Sequence, residues 1–393
     1  MTGSSWTDAQ LDALRQVGDP LADDIVGEIF ATGEVDAVRT LLKHLVDEDH
    51  PLLTPPARAL PPALMAHVER YFAASDAALP SLDAAAIDAG EAMFELHGLE
   101  ILMVLGCYSL PASYTARKGV HVLAQTGRLE SDPKRRLIET TQMVVDVMSE
   151  GGLAVGADAR GHGRGVRAAQ KVRLMHAAVR RMILVRGGRE WLAQYDVPIC
   201  QEDLAGTLMT FTQVVLDGLD RLGADVTVAQ REAYLYAWSA VGRIMGIEER
   251  LIPADLAAAR TLTDTIKRRQ IGRSDAGDVM TAALLDMMRK ALPTRLLGGL
   301  PPTLLRFFLR DDARYLAIPR RDWTEILVAA MHGFTVLLDR VLGFTRLSRR
   351  LTRAFNQRLI TALLAVEVGP NRPTFDLPDH LARRWGLPPG RPD

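Results

Sequence analysis

One segment of the chain, AAQKVRLMHAAVRR at residues 168–181, combines a histidine with two cations at helical spacing. Arg173 precedes His176 by three residues and Arg180 follows it by four, so the three side chains share one ridge of a helix. Apolar residues lie on or beside that ridge, namely Val172, Val179 and Ile183. A haem needs this combination, because an imidazole ligates its iron, apolar side chains line the macrocycle and cations face its propionates. Spacing alone more often marks an ordinary core histidine, so both interpretations stay open at this point.

The composition is typical of a globular protein with balanced charge. Of its 393 residues, 48% are hydrophobic and 24% are charged, and the formal net charge is −1. This balance provides no electrostatic basis for binding nucleic acid or an acidic membrane, so we expect neither as a partner. The two cysteines, Cys107 and Cys200, stand between apolar residues, which is typical of buried, reduced thiols. A disulfide or a cysteine-rich metal site is therefore not expected.

The N-terminal residues contain no basic region followed by an apolar core, so we predict no secretory signal. Apolar runs such as residues 101–110 are interrupted by Gly106 and Tyr108. They fall short of the roughly twenty residues that a helix needs to span a bilayer. We therefore expect a cytoplasmic protein without membrane contact.

Helical periodicity dominates the chain, and no stretch of comparable length alternates with period two. Capping boxes that begin at Thr7 and Thr227 predict two helix starts. The other helical patterns cover residues 20–32, 35–46, 63–74, 83–98, 98–108, 113–126, 134–149, 203–222, 254–270, 277–291, 323–342 and 348–368. A proline-rich connector at residues 51–62 and a glycine-rich loop at residues 151–165 separate some of them. In that loop His162 is expected to be solvated.

These patterns predict an all-α protein with a single large helical domain. We expect N-terminal helices and the connector in residues 1–62, the main domain in residues 63–370, and a C-terminal extension in residues 371–393.

Three segments between residues 98 and 211 occur in an order that is characteristic of one family. They are TGRLESDPKRRLIETTQMVVDVM, KVRLMHAAVR and VPICQEDLAGTLMTF. The joint presence of RxxHxxxR and PxxQED makes the chain resemble the bacterial latex-clearing proteins (rubber oxygenases) and the wider MpaB-type oxygenases. The resemblance implies a globin-like helical core that binds haem b non-covalently. It also places the axial iron ligand at His176, and the motif's flanking arginines at Arg173 and Arg180.

A second group of candidate residues lies on the helix predicted over residues 134–149. The resemblance places an arginine–threonine pair at Arg136 and Thr140, which lie one helical turn apart on one face. A buried cation and hydroxyl on an otherwise apolar helix need a partner. A haem propionate or dioxygen would serve, and so would an ordinary ion pair with Glu139 or Glu150. Glu139 stands where the best-known rubber oxygenases have a lysine, and it could act as a general base toward an allylic proton.

The activity that the resemblance implies is oxidation of a hydrophobic, unsaturated, isoprenoid-like small molecule by dioxygen, with cleavage of a carbon–carbon double bond as the candidate reaction. Rubber itself is not expected as the substrate, because a cytoplasmic enzyme does not meet a high-molecular-weight polymer. The alternatives are a non-catalytic haem protein such as a gas sensor or haem carrier, a peroxidase-like protein, and a helical interaction protein without haem. Histidines considered for a sixth iron position are His97, His121 and His332. The oligomeric state is not predicted.

Overall fold

Helices make up the regular structure of this protein wherever the chain is described. The computed structural model describes residues 6–47, 60–125, 133–156, 161–290, 292 and 297–319. Within those ranges the one β-type pairing is an isolated antiparallel bridge between Ala116 and Ile271. The predicted all-α fold is therefore confirmed. The predicted helices at residues 323–342 and 348–368, most of the proline-rich connector, and His332 lie outside the described residues.

Fifteen α-helices are numbered here in chain order through the described ranges. The first eight are α1 Asp8–Leu14, α2 Pro20–Ala31, α3 Val35–Asp47, α4 Pro62–Ala77, α5 Ala84–Val104, α6 Leu110–Tyr114, α7 Val120–Gln125 and α8 Pro133–Met148. The others are α9 Arg164–Tyr195, α10 Gln201–Phe211, α11 Gln213–Leu222, α12 Val228–Ile244, α13 Leu256–Gln270, α14 Asp275–Lys290 and α15 Leu300–Leu309. A π-helical turn covers Leu105–Ser109, and 3-10 turns cover Glu249–Leu251 and Arg310–Tyr315.

The chain divides into two compact units that interleave along the sequence. Unit 1 comprises Met1–Ala92, Met143–Leu208 and Glu232–Ile266, and unit 2 comprises Met93–Gln142, Met209–Arg231 and Lys267–Asp393. The boundaries fall inside helices, so neither unit is a continuous stretch of chain. The division predicted from the helical patterns and the connector stays a prediction.

Unit 1 has a hydrophobic core in which α9 packs with three N-terminal helices. The residues that form it are Ala22, Ile25, Val26 and Ile29 of α2, Val38, Leu41 and Leu45 of α3, Leu64, Val68, Tyr71 and Phe72 of α4, and Leu174, Ala177 and Ala178 of α9. Their spacing of three and four residues places them on one face of each helix. The core therefore holds one side of α9 against the N-terminal helices.

Both predicted capping boxes are confirmed. The Gln10 N–H donates to Thr7 Oγ1 at 3.3 Å, and the Thr7 N–H donates to Gln10 Oε1 at 3.0 Å. The same reciprocal pair joins Thr227 and Gln230 at 2.9 and 3.3 Å. Each box satisfies backbone donors that a helix start leaves without intrahelical acceptors.

Unit 2 contains a continuous helical run made of the part of α5 from Met93 onward, the π-helical turn and α6. The Tyr108 ring of the π turn stacks on Phe308 with 5.9 Å between centroids. The Arg221 guanidinium lies 4.4 Å from the Tyr108 centroid. A Cβ atom at Gly218 of α11 would come within 2.3 Å of Val104 Cγ1, so this close approach of α11 to α5 requires glycine.

That continuous run corrects one expectation. Residues 83–98 and 98–108 were predicted as separate helices, yet Ala84–Tyr114 is one helical segment, because the π turn accommodates Gly106. Among the described residues it is the one segment long and apolar enough to cross a bilayer, and 67% of its most apolar window is buried inside the protein. A buried core helix of a globular protein has the same length and apolar composition.

Two other predicted helices are interrupted. The pattern at residues 113–126 breaks because the backbone pairs elsewhere in unit 2. The Arg117 N–H donates to the Gln270 carbonyl at 3.0 Å, and the Gly272 N–H donates to the Thr115 carbonyl at 2.9 Å. The pattern at residues 203–222 breaks at Thr212, where φ is −112° and ψ is −89°. Tertiary contacts decide the first break, and hydrophobic periodicity does not reveal them.

Candidate functional site

Helix α9 carries the histidine and the two arginines singled out by their spacing. The helix predicted over residues 168–181 is confirmed and is longer than the pattern, running to Tyr195 with a kink at Gly188. On one side, Leu174, Ala177 and Ala178 are buried in the unit 1 core.

His176 lies in a half-buried apolar stripe on another side of α9. The stripe consists of Val172, Met175, Val179 and Met182, all partly exposed, as is His176 itself. These positions recur at the three- and four-residue spacing of one helix face. The structure thus places the imidazole of His176 among apolar side chains on one face of α9.

Arg173 forms a buried ion pair with Asp19, the residue that precedes α2. Its Nε and Nη2 donate to the two Asp19 carboxylate oxygens at 2.5 and 2.7 Å, and its Nη1 donates to the Ile244 carbonyl at 3.3 Å. Burial lowers the pKa of Arg173, and the Asp19 carboxylate raises it to a net upward shift. The guanidinium is therefore fully charged, as in a bidentate arginine–carboxylate pair.

The chain approaches this ion pair closely at Gly246, after α12. Gly246 has a φ of 80°, and a Cβ atom there would lie 2.7 Å from the Arg173 guanidinium. Both the left-handed conformation and the lack of space require glycine.

Arg180 forms a second, partly buried ion pair one turn after His176, with Asp23 of α2. Its Nε and Nη2 also donate to the carbonyls of Pro198 and Ile199, at 2.9 and 2.8 Å. Burial raises the pKa of Asp23, although the Arg180 cation acts in the opposite direction. Arg180 thus connects α9 both to α2 and to the start of the PxxQED segment.

Within the PxxQED segment, Gln201 connects three stretches of unit 1. Its Nε2 donates to the carbonyls of Gly18 and Gly246 at 2.8 and 3.0 Å, and its Oε1 accepts from the Glu248 N–H at 2.9 Å. Its backbone N–H donates to the Val17 carbonyl at 2.9 Å. The glutamine of the motif is thus a buried structural connector.

The two acidic residues of the motif bind Arg15. Arg15 Nη1 donates to Glu202 at 3.1 Å and Asp203 at 3.0 Å, and its Nε donates to Asp196 at 2.5 Å. Burial lowers the pKa of Arg15, but these carboxylates raise it by more than burial lowers it, so the net shift is upward. RxxHxxxR, PxxQED and the N-terminal stretch 15–23 therefore form one buried polar network.

The N-terminal half of this network was not predicted from the sequence. Arg15, Asp19 and Asp23 are charged residues within an apolar pattern, and buried charges require partners. That signal was present, but it does not tell which of the many opposite charges each residue meets.

The second candidate group lies on α8, in unit 2, and its helix is confirmed as Pro133–Met148. The side chain of Arg136 lies outside the described residues. Glu139 is half-buried, but Thr140 is exposed, so the expectation of a buried hydroxyl at that position is wrong. Burial on α8 instead begins at Val144, nearer its C-terminal end. The roles assigned to these residues stay predictions.

The other histidines differ in their surroundings. His97 is buried, and burial lowers the pKa of His121 while Asp275 acts against it. His162 is buried rather than solvated, which corrects the expectation for the glycine-rich loop. Its Nδ1 accepts from the Gly156 N–H at 3.1 Å, and its Nε2 lies 3.5 Å from Asp76 Oδ1.

Cys107 and Cys200 are buried and not joined in a disulfide, as predicted. Burial raises the pKa of the Cys107 thiol to about 12. Among the described residues, no three or more His, Cys, Asp or Glu side chains come together in a way that could hold a metal ion.

Comparisons with known proteins agree with the resemblance seen in the motifs. The family described as ER-bound oxygenase mpaB/B'/Rubber oxygenase, catalytic domain, matches residues 92–392. A rubber oxygenase from Streptomyces sp. (strain K30) is 27% identical over 281 residues, which cover 69% of this chain and 63% of that relative. The match thus spans less than two thirds of the relative's length.

A solved structure, that of the latex clearing protein LCP in the closed state, shares the fold. Its TM-score is 0.66, at 22% identity, over 93% of this chain and 95% of that one. With the family match extending over most of the sequence, the chain belongs to the ER-bound oxygenase mpaB/B'/rubber oxygenase catalytic-domain family.

Proposed function

We propose that this protein is a haem b-dependent oxygenase that uses dioxygen to oxidise a hydrophobic, unsaturated substrate of the isoprenoid class. Membership of an oxygenase family supports the reaction type. The observation that carries the proposal is the half-buried imidazole of His176 within an apolar stripe. This imidazole lies on α9, which is held on its other sides by a hydrophobic core and by two ion pairs whose arginines are buried.

The residues around His176 fit a haem. The macrocycle needs an axial nitrogen ligand and an apolar surface, and the stripe of Val172, Met175, Val179 and Met182 provides that surface. The guanidiniums of Arg173 and Arg180 already bind Asp19 and Asp23. Their contacts support a role in holding α9, and pairing with propionates stays an expectation from the resemblance.

When bound, the haem supplies the oxidising chemistry with dioxygen, and the protein supplies ligation, orientation and a shaped apolar site. The His176 imidazole would hold the haem through one ring nitrogen. A hydrogen bond from the other ring nitrogen would fix the orientation of the ring. Glu139 departs from the lysine expected at this position in the best-known rubber oxygenases, so its proposed role rests on the chemistry of a carboxylate. Its carboxylate accepts an allylic proton from the substrate as a general base.

An absorbance spectrum tests the haem part of the proposal. We expect protein expressed with a haem supply to show a Soret band that His176→Ala loses or shifts, while His162→Ala, a buried histidine of the glycine-rich loop, leaves it unchanged. Absence of the band in the wild-type protein, or an unchanged band in His176→Ala, would refute the assignment.

A turnover assay tests the oxygenase part. Dioxygen consumption is measured with short isoprenoid alkenes, aromatic alkenes and cis-polyisoprene, and carbonyl products are trapped and weighed by mass spectrometry. We expect dioxygen-dependent carbonyl formation from the short isoprenoids. If the haem instead forms a stable complex with carbon monoxide and no alkene is turned over, the protein is a gas sensor or haem carrier.

A further inference from the structure

We infer that the N-terminal stretch 15–23, which precedes the part of the chain that matches the family, belongs to the haem site, with Asp19 and Asp23 as positioning residues for His176. The inference rests on the proposed function, because it concerns the group that His176 would hold. It assigns a role to residues outside the family match at 92–392.

The two carboxylates are placed by the start of α2. Asp19 is the residue before the helix and Asp23 lies in its first turn, where Pro20 begins the helix. The Asp19 N–H donates to Asp23 Oδ2 at 2.9 Å. Carboxylates are favoured at a helix N-terminus, where backbone N–H groups and the helix dipole present positive charge. The local structure of α2 therefore orients the Asp23 carboxylate, whereas the Asp19 carboxylate makes no capping hydrogen bond and is held by Arg173.

The arginines bracket the histidine along α9. Arg173 lies one turn before His176 and Arg180 one turn after, on the same ridge. The side chains of Asp19, Arg173 and Arg180 are each at most 10% exposed, and that of Asp23 is 32% exposed. A buried guanidinium that loses its carboxylate becomes an uncompensated buried charge. The two ion pairs therefore resist rotation and sliding of the one turn of α9 that carries the imidazole.

An ion pair on the same helix provides a matched control. Arg167 Nη1 and Nη2 donate to the Asp76 carboxylate at 2.7 and 3.1 Å, and Gln170 Nε2 donates to Asp76 at 2.9 Å. Arg167 precedes His176 by nine residues, which corresponds to about 13 Å along a helix. If ion pairs affect haem binding only by stabilising α9, then loss of the Arg167–Asp76 pair should have the same effect as loss of a pair next to His176. If they position the histidine, only the pairs next to His176 should affect haem binding.

The experiment compares Asp19→Asn, Asp23→Asn and Asp76→Asn in the full-length, haem-loaded protein. The readouts are the rate of haem transfer to an excess of apomyoglobin, the Soret maximum and the ferric–ferrous midpoint potential. Hydrogen exchange of residues 171–183 is measured in the haem-free protein. We expect Asp19→Asn to release haem at least about tenfold faster, with faster exchange around His176. We expect Asp76→Asn to lower the melting temperature and leave haem release, potential and spectrum unchanged.

Asp23→Asn keeps the comparison decisive if Asp19→Asn does not fold. Arg180 retains its two carbonyl acceptors in that variant, so the fold survives, and the same direction of change is expected. The inference is overturned if folded Asp19→Asn and Asp23→Asn release haem at the wild-type rate, or if Asp76→Asn accelerates release equally. Either result leaves the proposed function standing. A wild-type protein without a His176-dependent Soret band overturns the proposed function, and the inference with it.

Discussion

Replacement of Gln201 by alanine should destabilise unit 1 by more than the loss of a neutral side chain with a single hydrogen bond would. The Gln201 side chain is buried and makes three hydrogen bonds, to the carbonyls of Gly18 and Gly246 and from the Glu248 N–H. Alanine would leave three backbone groups without this partner. A buried polar group without a partner costs about 1–3 kcal/mol, so for three such groups we expect a loss of at least about 3 kcal/mol in the free energy of unfolding.

Urea denaturation followed by tryptophan fluorescence measures this loss. Gln213→Ala is the matched control, because Gln213 is equally buried but its side chain donates one hydrogen bond, to Asp217 at 2.8 Å. We expect about 1 kcal/mol for that variant. If Gln201→Ala costs no more than Gln213→Ala, then Gln201 does not connect the three stretches energetically, and the reasoning is refuted.

Gln201→Glu sharpens the same test through pH. The new carboxylate would face the Gly18 and Gly246 carbonyls, which favours its protonated form and raises its pKa in the folded state. A carboxyl with a raised folded pKa contributes more stability at low pH and loses it as pH rises through that pKa. The deficit of this variant relative to wild type should therefore shrink on acidification, whereas the deficit of Gln201→Ala should not.

Three further predictions concern other described residues. Burial raises the pKa of Glu91 from its ordinary value of 4.5, so the contribution of Glu91 to stability falls as pH rises above about 4. In urea denaturation measured from about pH 4 to about pH 7, Glu91→Gln should therefore show a weaker dependence of stability on pH than the wild type. Gly246→Ala forces a Cβ atom against Arg173 at a positive φ and should cost about 1–3 kcal/mol; an unchanged melting temperature would contradict the close approach. Glu139→Gln should leave the haem spectrum intact and slow alkene turnover about 100-fold or more, and unchanged turnover would remove Glu139 as a base.

Local signals predicted most of the described helices well. The capping boxes at Thr7 and Thr227 are encoded within four residues each, so neighbouring side chains suffice to define them. The spacing of Arg173, His176 and Arg180 is likewise a property of one helix. The motif order then identified the family, which the comparison confirmed.

Features that depend on distant partners were not predictable. Asp19 and Arg173 are 154 residues apart, and no periodicity reports such a pairing. The break after Tyr114 depends on backbone hydrogen bonds to Gln270 and Gly272, which hydrophobic patterning does not contain. Thr140 is exposed because burial on α8 is graded along the helix, and a helical wheel describes only direction around the axis.

The distance in sequence between Asp19 and Arg173 also has a consequence for biosynthesis. At roughly 5–20 residues per second, the 154 residues that separate them take roughly 8–30 s to translate. During that interval α1 and α2 have left the ribosome with carboxylates whose cations do not yet exist, and with an apolar face that lacks α9. The helices made first are thus among the last to be completed. Nascent chains that end before residue 173 should depend on chaperones and be cut readily by protease, and those that extend past residue 266 should resist it.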